Sequence, residues 1–272
     1  MVANQDRDSI LMAMVRDFNR LMKDAVDGVN CIDPKVCDGN CCFIQIDVPR
    51  VLAEYYIEKQ WASRESFQRG DVFSFVIDVD FKKLRCNFFS KQVNGCSLHQ
   101  TGVKPPQCWV YPTGLDPEDA VEVCKKTEGW RIVQPENVRQ AKPIIDQYFL
   151  LAKAEAQEEN SPKAVCERLN HQLLEKLLEV GPATIGGVRD TWDTFVPLAG
   201  DGMCMGTRYF CRQQPSCSQQ YFTCPHVCTL VAEKIIAYLT KVLPRYIEKN
   251  GFKRDYTFFE LQDAEAKQKP SD

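Results

Sequence analysis

The feature that most constrains this 272-residue chain is where its 14 cysteines fall. Eight lie between Cys31 and Cys124, five between Cys204 and Cys228, and Cys166 stands alone. Stretches 43–85, 125–165, 167–203 and 229–272 contain none. Two thiol-rich tracts are therefore separated and flanked by sequence that must build its own core.

An even count permits a full set of disulfides, so compartment decides between cystines and metal ligands. The N-terminal stretch carries Asp6, Arg7, Asp8, Arg16 and Asp17, with no apolar run of the kind that makes a secretory leader. No stretch approaches the ~18 apolar residues of a membrane span, and no Asn-x-Ser/Thr glycosylation acceptor occurs. These signs point to the cytoplasm, where thiols stay reduced or bind metal. The 34 Lys+Arg against 37 Asp+Glu give a formal charge of -3, which excludes a broadly basic nucleic-acid binder.

Between the tracts the sequence reads as ordinary amphipathic elements. In 9–26, Leu11, Met14, Val15, Phe18, Leu21, Met22 and Val26 fall on one helical stripe. Ile44, Ile46 and Val48 alternate with polar neighbours and predict a short strand, and Pro49 suits the first turn of a helix reaching about Trp61. Segment 72–79 predicts a second strand, 84–89 a partner that delivers Cys86, and 120–124 a further strand. Segment 94–112, with two Gly and three Pro, reads as a loop. Helices are predicted over 136–157 (burying Ile144, Ile145, Tyr148 and Phe149) and 163–180 (burying Val165, Leu169, Leu173 and Leu177). A third is predicted from Cys224-Pro225 to a stop at Pro244. The fold class is α+β: a small mixed β and loop region holding the metal, packed with several amphipathic helices. The domains expected are an N-terminal helix over 1–30, a cysteine-cluster domain over 31–134, a helical region over 135–261 with the second tract, and a flexible tail over 262–272.

The first tract runs Cys31-x5-Cys37-x3-Cys41-Cys42, then Cys86-x9-Cys96-x2-His99-x8-Cys108, then Cys124. Thiolates are soft ligands that suit zinc, copper(I) or iron–sulfur clusters. Loop 94–112 has few apolar residues, so a metal cross-link is expected to supply its order. Adjacent cysteines in extended backbone face opposite ways, so Cys41 and Cys42 imply either one spectator or two centres. Eight thiols equal the ligand requirement of two four-cysteine iron–sulfur clusters, with zinc as the alternative.

In order, Cys37-x3-Cys41-Cys42, Cys86-Asn87-Phe88-Phe89, Gly95-Cys96-Ser97-Leu98-His99 and Lys104-Pro105-x2-Cys108-x2-Tyr111-Pro112 resemble the YkgJ-type cysteine-cluster family. That family is described as a zinc- or iron-chelating domain and includes flagellin lysine methylases. The resemblance covers about residues 31–130. It implies ligand roles for Cys37, Cys41, Cys42, Cys86, Cys96, Cys108 and Cys124, while Cys31 is added from spacing alone. The chain departs from the family in having Lys104 where Arg is usual, Trp109 where Arg commonly follows the cysteine, and a longer gap between Cys96 and Cys108.

The second tract, Cys204-x6-Cys211-x5-Cys217-x6-Cys224-x3-Cys228, lies outside that resemblance and supplies enough ligands for one more centre. With Cys224 at a helix N-cap and Cys228 one turn on, both thiols would be stabilised as thiolates by the helix end. His99 and His226 lie within the tracts and are open to ligand or hydrogen-bonding roles, whereas His171 reads as solvated. Cys166 reads as a core thiol. The expected function is an iron–sulfur protein with two or three clusters, of the 4Fe–4S type, serving electron transfer or a partner redox enzyme. A lysine-methylase-like enzyme and a structural zinc protein are the alternatives. Neither the Cys-x3-Cys-x2-Cys of radical S-adenosylmethionine enzymes nor a Gly-rich cofactor turn is present.

Overall fold

The computed structural model describes residues 2–27, 42, 44–80, 84–92, 95–113, 115, 131–168, 177–178, 201–214, 217, 224, 227–253 and 257–266. The architecture is α+β, as the sequence predicts. The chain divides into two compact units, Met1–Ala156 and Gln157–Asp272. Among the described residues no helix is long and apolar enough to cross a membrane.

In the first unit the apolar stripe of the N-terminal segment forms α1 (Val2–Ala25), with Leu11, Val15, Phe18, Met22 and Ala25 fully buried. Strand β1 (Val26–Asp27) follows and pairs antiparallel with β9 (Arg131–Ile132). A three-stranded antiparallel sheet has β4 (Phe75–Ile77) at its centre, between β2 (Ile46–Val48) and β3 (Phe67–Arg69). Val48 and Arg69 both register against Phe75, and the Arg69 guanidinium lies 4.4 Å from the Phe75 ring centroid. That stacking lets a basic side chain enter the core.

Helix α2 (Arg50–Glu58) begins after Pro49, a residue with no side-chain acceptor to cap it. The cap comes from elsewhere: the fully buried Glu155 carboxylate accepts the Arg50 N–H at 2.6 Å and the Ser74 hydroxyl at 2.5 Å. A negative group at an N-terminal N–H is favoured by the helix dipole. The helix stops three residues short of Trp61, because Gln60 turns left-handed (φ 58°) and the Trp61 N–H closes back on the Tyr56 carbonyl at 2.9 Å. Glu155 itself lies on α4 (Pro135–Glu159), which buries Ile145 and Tyr148 and leaves Ile144 and Phe149 half-buried.

The strand expected over 72–79 is two strands, β4 and β5 (Val79–Asp80). Asp78 breaks it, its carboxylate accepting both the Val79 N–H (2.9 Å) and the Gln68 amide (2.6 Å). Strand β6 (Arg85–Cys86) pairs with β5 and delivers Cys86 as expected. Segment 94–112 is not a plain loop. It contributes β8 (Gly95–Cys96), paired with β7 (Phe89–Ser90), and ends in helix α3 (Gln107–Thr113). The strand expected at 120–124 lies outside the described residues.

The second unit holds α5 (Pro162–Arg168), α6 (Asp201–Arg212), α7 (Thr229–Asn250) and α8 (Phe258–Ala266). Val165, Leu177, Phe210, Val231, Ile235, Leu239, Phe258 and Leu261 belong to one apolar core. Helix α6 has no clear periodic signal in the sequence: rich in polar residues and thiols, it hides an amphipathic face that buries Phe210. Gly206 makes the fit, since a Cβ there would lie 3.1 Å from the Phe258 ring. The expectation that Pro244 ends α7 is corrected, because the helix runs six residues further, to Asn250. A mid-helix proline costs roughly 3 kcal/mol. Burying Tyr246 and Ile247 beyond it returns about 1.5–3 kcal/mol each, so continuation wins. Residues 262–266, expected as tail, continue α8. Segments 169–176 and 179–180 of the helix predicted over 163–180 lie outside the described residues, as do Leu169, Leu173 and His171.

Candidate functional site

Of the first tract, Cys42, Cys86, Cys96 and Cys108 are described, all half-buried; Cys31, Cys37, Cys41 and Cys124 lie outside the described residues. Two short hairpins and one helix present three of these thiols. Cys86 registers against Val79 and Cys96 against Phe89. Phe88, between the hairpins, is fixed by its carbonyl, which accepts the Ser97 N–H at 2.9 Å and the Ser97 hydroxyl at 3.1 Å. Cys108 sits in the first turn of α3, its N–H bonded to the Pro105 carbonyl at 2.9 Å.

These pieces meet around Tyr56. Its ring packs edge-on against Phe88 at 5.0 Å, and its buried hydroxyl donates to the Val103 carbonyl at 2.5 Å. Burial pushes the Tyr56 phenol well above the ordinary tyrosine range, and the nearby Tyr148, Cys108, Cys96 and Cys86 push it further. Three cysteines remote in sequence therefore lie within electrostatic reach of one phenol. Tyr148, also fully buried, is shifted up by burial and lies near Gln107 and Cys108.

The segment leading to Cys108 is held by contacts with the rest of its unit, more than its sparse apolar composition suggests. Asn19 of α1 is 2 % exposed and does most of this. Its amide donates to the Lys104 carbonyl at 2.8 Å and to the Val15 carbonyl at 2.7 Å. Its oxygen accepts the Lys104 N–H at 3.1 Å and the Trp109 indole N–H at 2.8 Å. Leu98, Val103 and Trp109 of the same segment are buried. The sequence did carry the signal: Asn19 is a polar residue inside the apolar stripe of α1, four residues from Val15 and three from Met22.

His99 packs on Trp109 with ring centroids 4.9 Å apart, and the Lys104 ammonium lies 3.4 Å from His99 Nδ1. An ammonium can only donate, so Nδ1 accepts and the proton resides on Nε2. A histidine that ligates metal through Nε2 carries its proton on Nδ1, usually donated to an acceptor. With Nδ1 facing Lys104, His99 is hydrogen-bonded in the opposite sense. Burial, then Lys104 and Lys23, hold its imidazole down at about 4.

In the second tract Cys211, Cys217, Cys224 and Cys228 are described; the Cys204 side chain, the Cys166 side chain and His226 lie outside the described set. Cys211 closes α6, and a turn links it onward through Gln214 N–H to the Cys211 carbonyl (3.0 Å) and Cys217 N–H to the Gln214 carbonyl (3.1 Å). Helix α7 starts later than expected. Cys228, rather than Cys224, is its N-cap, and its carbonyl accepts the N–H groups of Val231 (3.1 Å) and Ala232 (2.9 Å). Cys224 lies before the helix. Cys211 is the thiol the other three act on: burial raises it above the usual thiol range, Cys217, Cys224 and Cys228 raise it further, and Cys217 also hydrogen-bonds to it.

None of the eight described cysteine side chains is in a disulfide. Among the described residues no three His, Cys, Asp or Glu side chains are drawn together as tightly as a metal's ligand shell. The second tract is thus a wider gathering of thiols, within electrostatic reach but not closed. Its donors are all sulfur, which fits zinc or an iron–sulfur cluster and not an oxygen-seeking ion. Comparison of the chain with family models, with curated proteins and with solved structures finds no match in any of the three.

Proposed function

We propose that this chain is a cytoplasmic iron–sulfur protein that carries two or three clusters, of the 4Fe–4S type, and passes electrons to a partner redox protein. The carrying observation is that Cys217, Cys224 and Cys228, from a helix end and the segment before it, all lie within electrostatic reach of the Cys211 thiol at the end of α6. Four cysteines are the usual ligand set of one cluster. Cys86, Cys96 and Cys108 about Tyr56 support a second centre, with the remaining ligand drawn from the other cysteines of the first tract. The ordered motifs that resemble the YkgJ-type family support the same reading for that tract. Electron transfer asks little of side chains beyond holding clusters near a docking surface, which suits a chain rich in thiols and without a recognisable catalytic motif.

The test is purification without oxygen, followed by iron, sulfide and zinc analysis, visible absorption and electron paramagnetic resonance. Iron with matching sulfide and a broad visible band is the expected result. A colourless protein with stoichiometric zinc would replace this reading with a structural zinc protein.

A further inference from the structure

The second tract brings two of its thiols into direct contact. Cys211 lies in the last turn of α6, half-buried and packed against the apolar core of its unit. Beyond it the chain folds through two successive turns, Gln214 N–H bonding to the Cys211 carbonyl at 3.0 Å and Cys217 N–H to the Gln214 carbonyl at 3.1 Å. These turns keep Cys217 beside the helix end, and its thiol hydrogen-bonds to the Cys211 thiol. Thiols that touch in this way are close to the approach a sulfur–sulfur bond requires. Their surroundings differ, since Cys217 is exposed while Cys211 is sheltered and set on a helix. An accessible thiol beside a sheltered one is the arrangement of redox-sensing pairs: the first meets the oxidant and the second resolves it. Reducing compartments admit disulfides of this transient kind.

We propose that Cys217 and Cys211 form a peroxide-reactive dithiol that closes to a reversible disulfide when neither sulfur is bound to metal. The Cys217 sulfur, as thiolate, attacks one peroxide oxygen and the O–O bond breaks. Cys217 becomes a sulfenic acid, and the other oxygen leaves as hydroxide and takes up the proton that the Cys217 thiol gave up. The Cys211 sulfur then attacks the Cys217 sulfur. An S–S bond forms, the S–O bond breaks, and the departing hydroxide takes the Cys211 proton. One peroxide is thereby reduced to two waters while two thiols lose two electrons, and a dithiol reductant reverses the bond by exchange. This inference goes beyond the iron–sulfur reading and does not rest on it. Both sulfurs also belong to the ligand set proposed above, so the disulfide and a metal centre on these two thiols exclude each other.

The experiment uses the full chain, reduced and stripped of metal by anaerobic chelation, then treated with one equivalent of hydrogen peroxide. Remaining thiols are blocked with iodoacetamide, and the chain is digested with trypsin without reductant. Cleavage after Arg212 separates Cys211 from Cys217 unless a bond joins them. The peptide holding Cys211 should be recovered joined to the one holding Cys217, lighter by two hydrogens than the free pair. Fragmentation should place the bond on Cys217, and dithiothreitol should release both peptides. A Cys211 that stays free, or that bonds to Cys224 or Cys228 instead, overturns the inference. Cys211→Ser gives a second reading: without its resolving partner, Cys217 should persist as a sulfenic acid that dimedone traps. No dimedone adduct on Cys217 in that variant would also overturn it. Neither result alters the iron and sulfide content of the untreated chain, which tests the iron–sulfur reading separately.

Discussion

The two thiol tracts are built on opposite plans. Around Cys86, Cys96 and Cys108 the backbone is held by two hairpins, by Tyr56 on Val103 and by three hydrogen bonds between Asn19 and Lys104 or Trp109. Around Cys211, Cys217, Cys224 and Cys228 order comes from the ends of α6 and α7, and Cys217 and Cys228 are exposed. A site on a rigid frame can tune a bound centre, whereas a site assembled from helix ends depends on the ion to close it.

Metal removal is the largest test of that contrast. Apparent binding of structural zinc reaches about 10–16 kcal/mol, comparable with the whole stability of a domain. Anaerobic chelation should therefore expose 211–228 to hydrogen exchange and proteolysis, while 98–109 keeps most of its protection. Equal loss in both segments would show that the first tract is also ordered by metal.

Asn19→Ala reverses the roles. It strands the buried Lys104 and Trp109 N–H groups, and should cost about 3–5 kcal/mol. The loss should be confined to unit one, with exchange rising at 98–109 and unchanged in α7. A cost below about 1 kcal/mol, the scale of an ordinary exposed hydrogen bond, would remove Asn19 from the account.

The smallest effect concerns pH. The His99 imidazole titrates near 4 in the folded chain against 6.5 ordinarily, so the unfolded chain takes up the proton first on acidification. The stability tied to neutral His99 is complete above pH 6.5 and is lost as pH falls towards 4. The ring is only half-buried, so the contribution is on the order of 1–2 kcal/mol. Denaturant melts of His99→Gln should be flatter than wild type across this window; parallel curves would contradict the packing of His99 against Lys104 and Trp109.

The same contrast separates what the sequence made legible from what it hid. Periodicity exposed α1 and α4, and β-rich composition exposed the hairpin that delivers Cys86, because burial of apolar side chains drives those elements. It failed where a different force decides. Pro244 is overridden by the burial of Tyr246 and Ile247, and the polar, thiol-rich sequence of α6 hides the helix that buries Phe210. Glu155 and Lys104 read as ordinary polar residues, and only contacts between distant segments reveal that they are buried. In the second tract, thiol spacing misplaced the helix start by four residues, from Cys224 to Cys228.

Native mass spectrometry of the chain isolated without oxygen addresses the central claim most directly. The expected mass exceeds that of the polypeptide by two or three iron–sulfur clusters and returns to that of the fully reduced chain when they are removed. A native mass equal to the polypeptide, or lighter by the hydrogens lost to cystine formation, would contradict it.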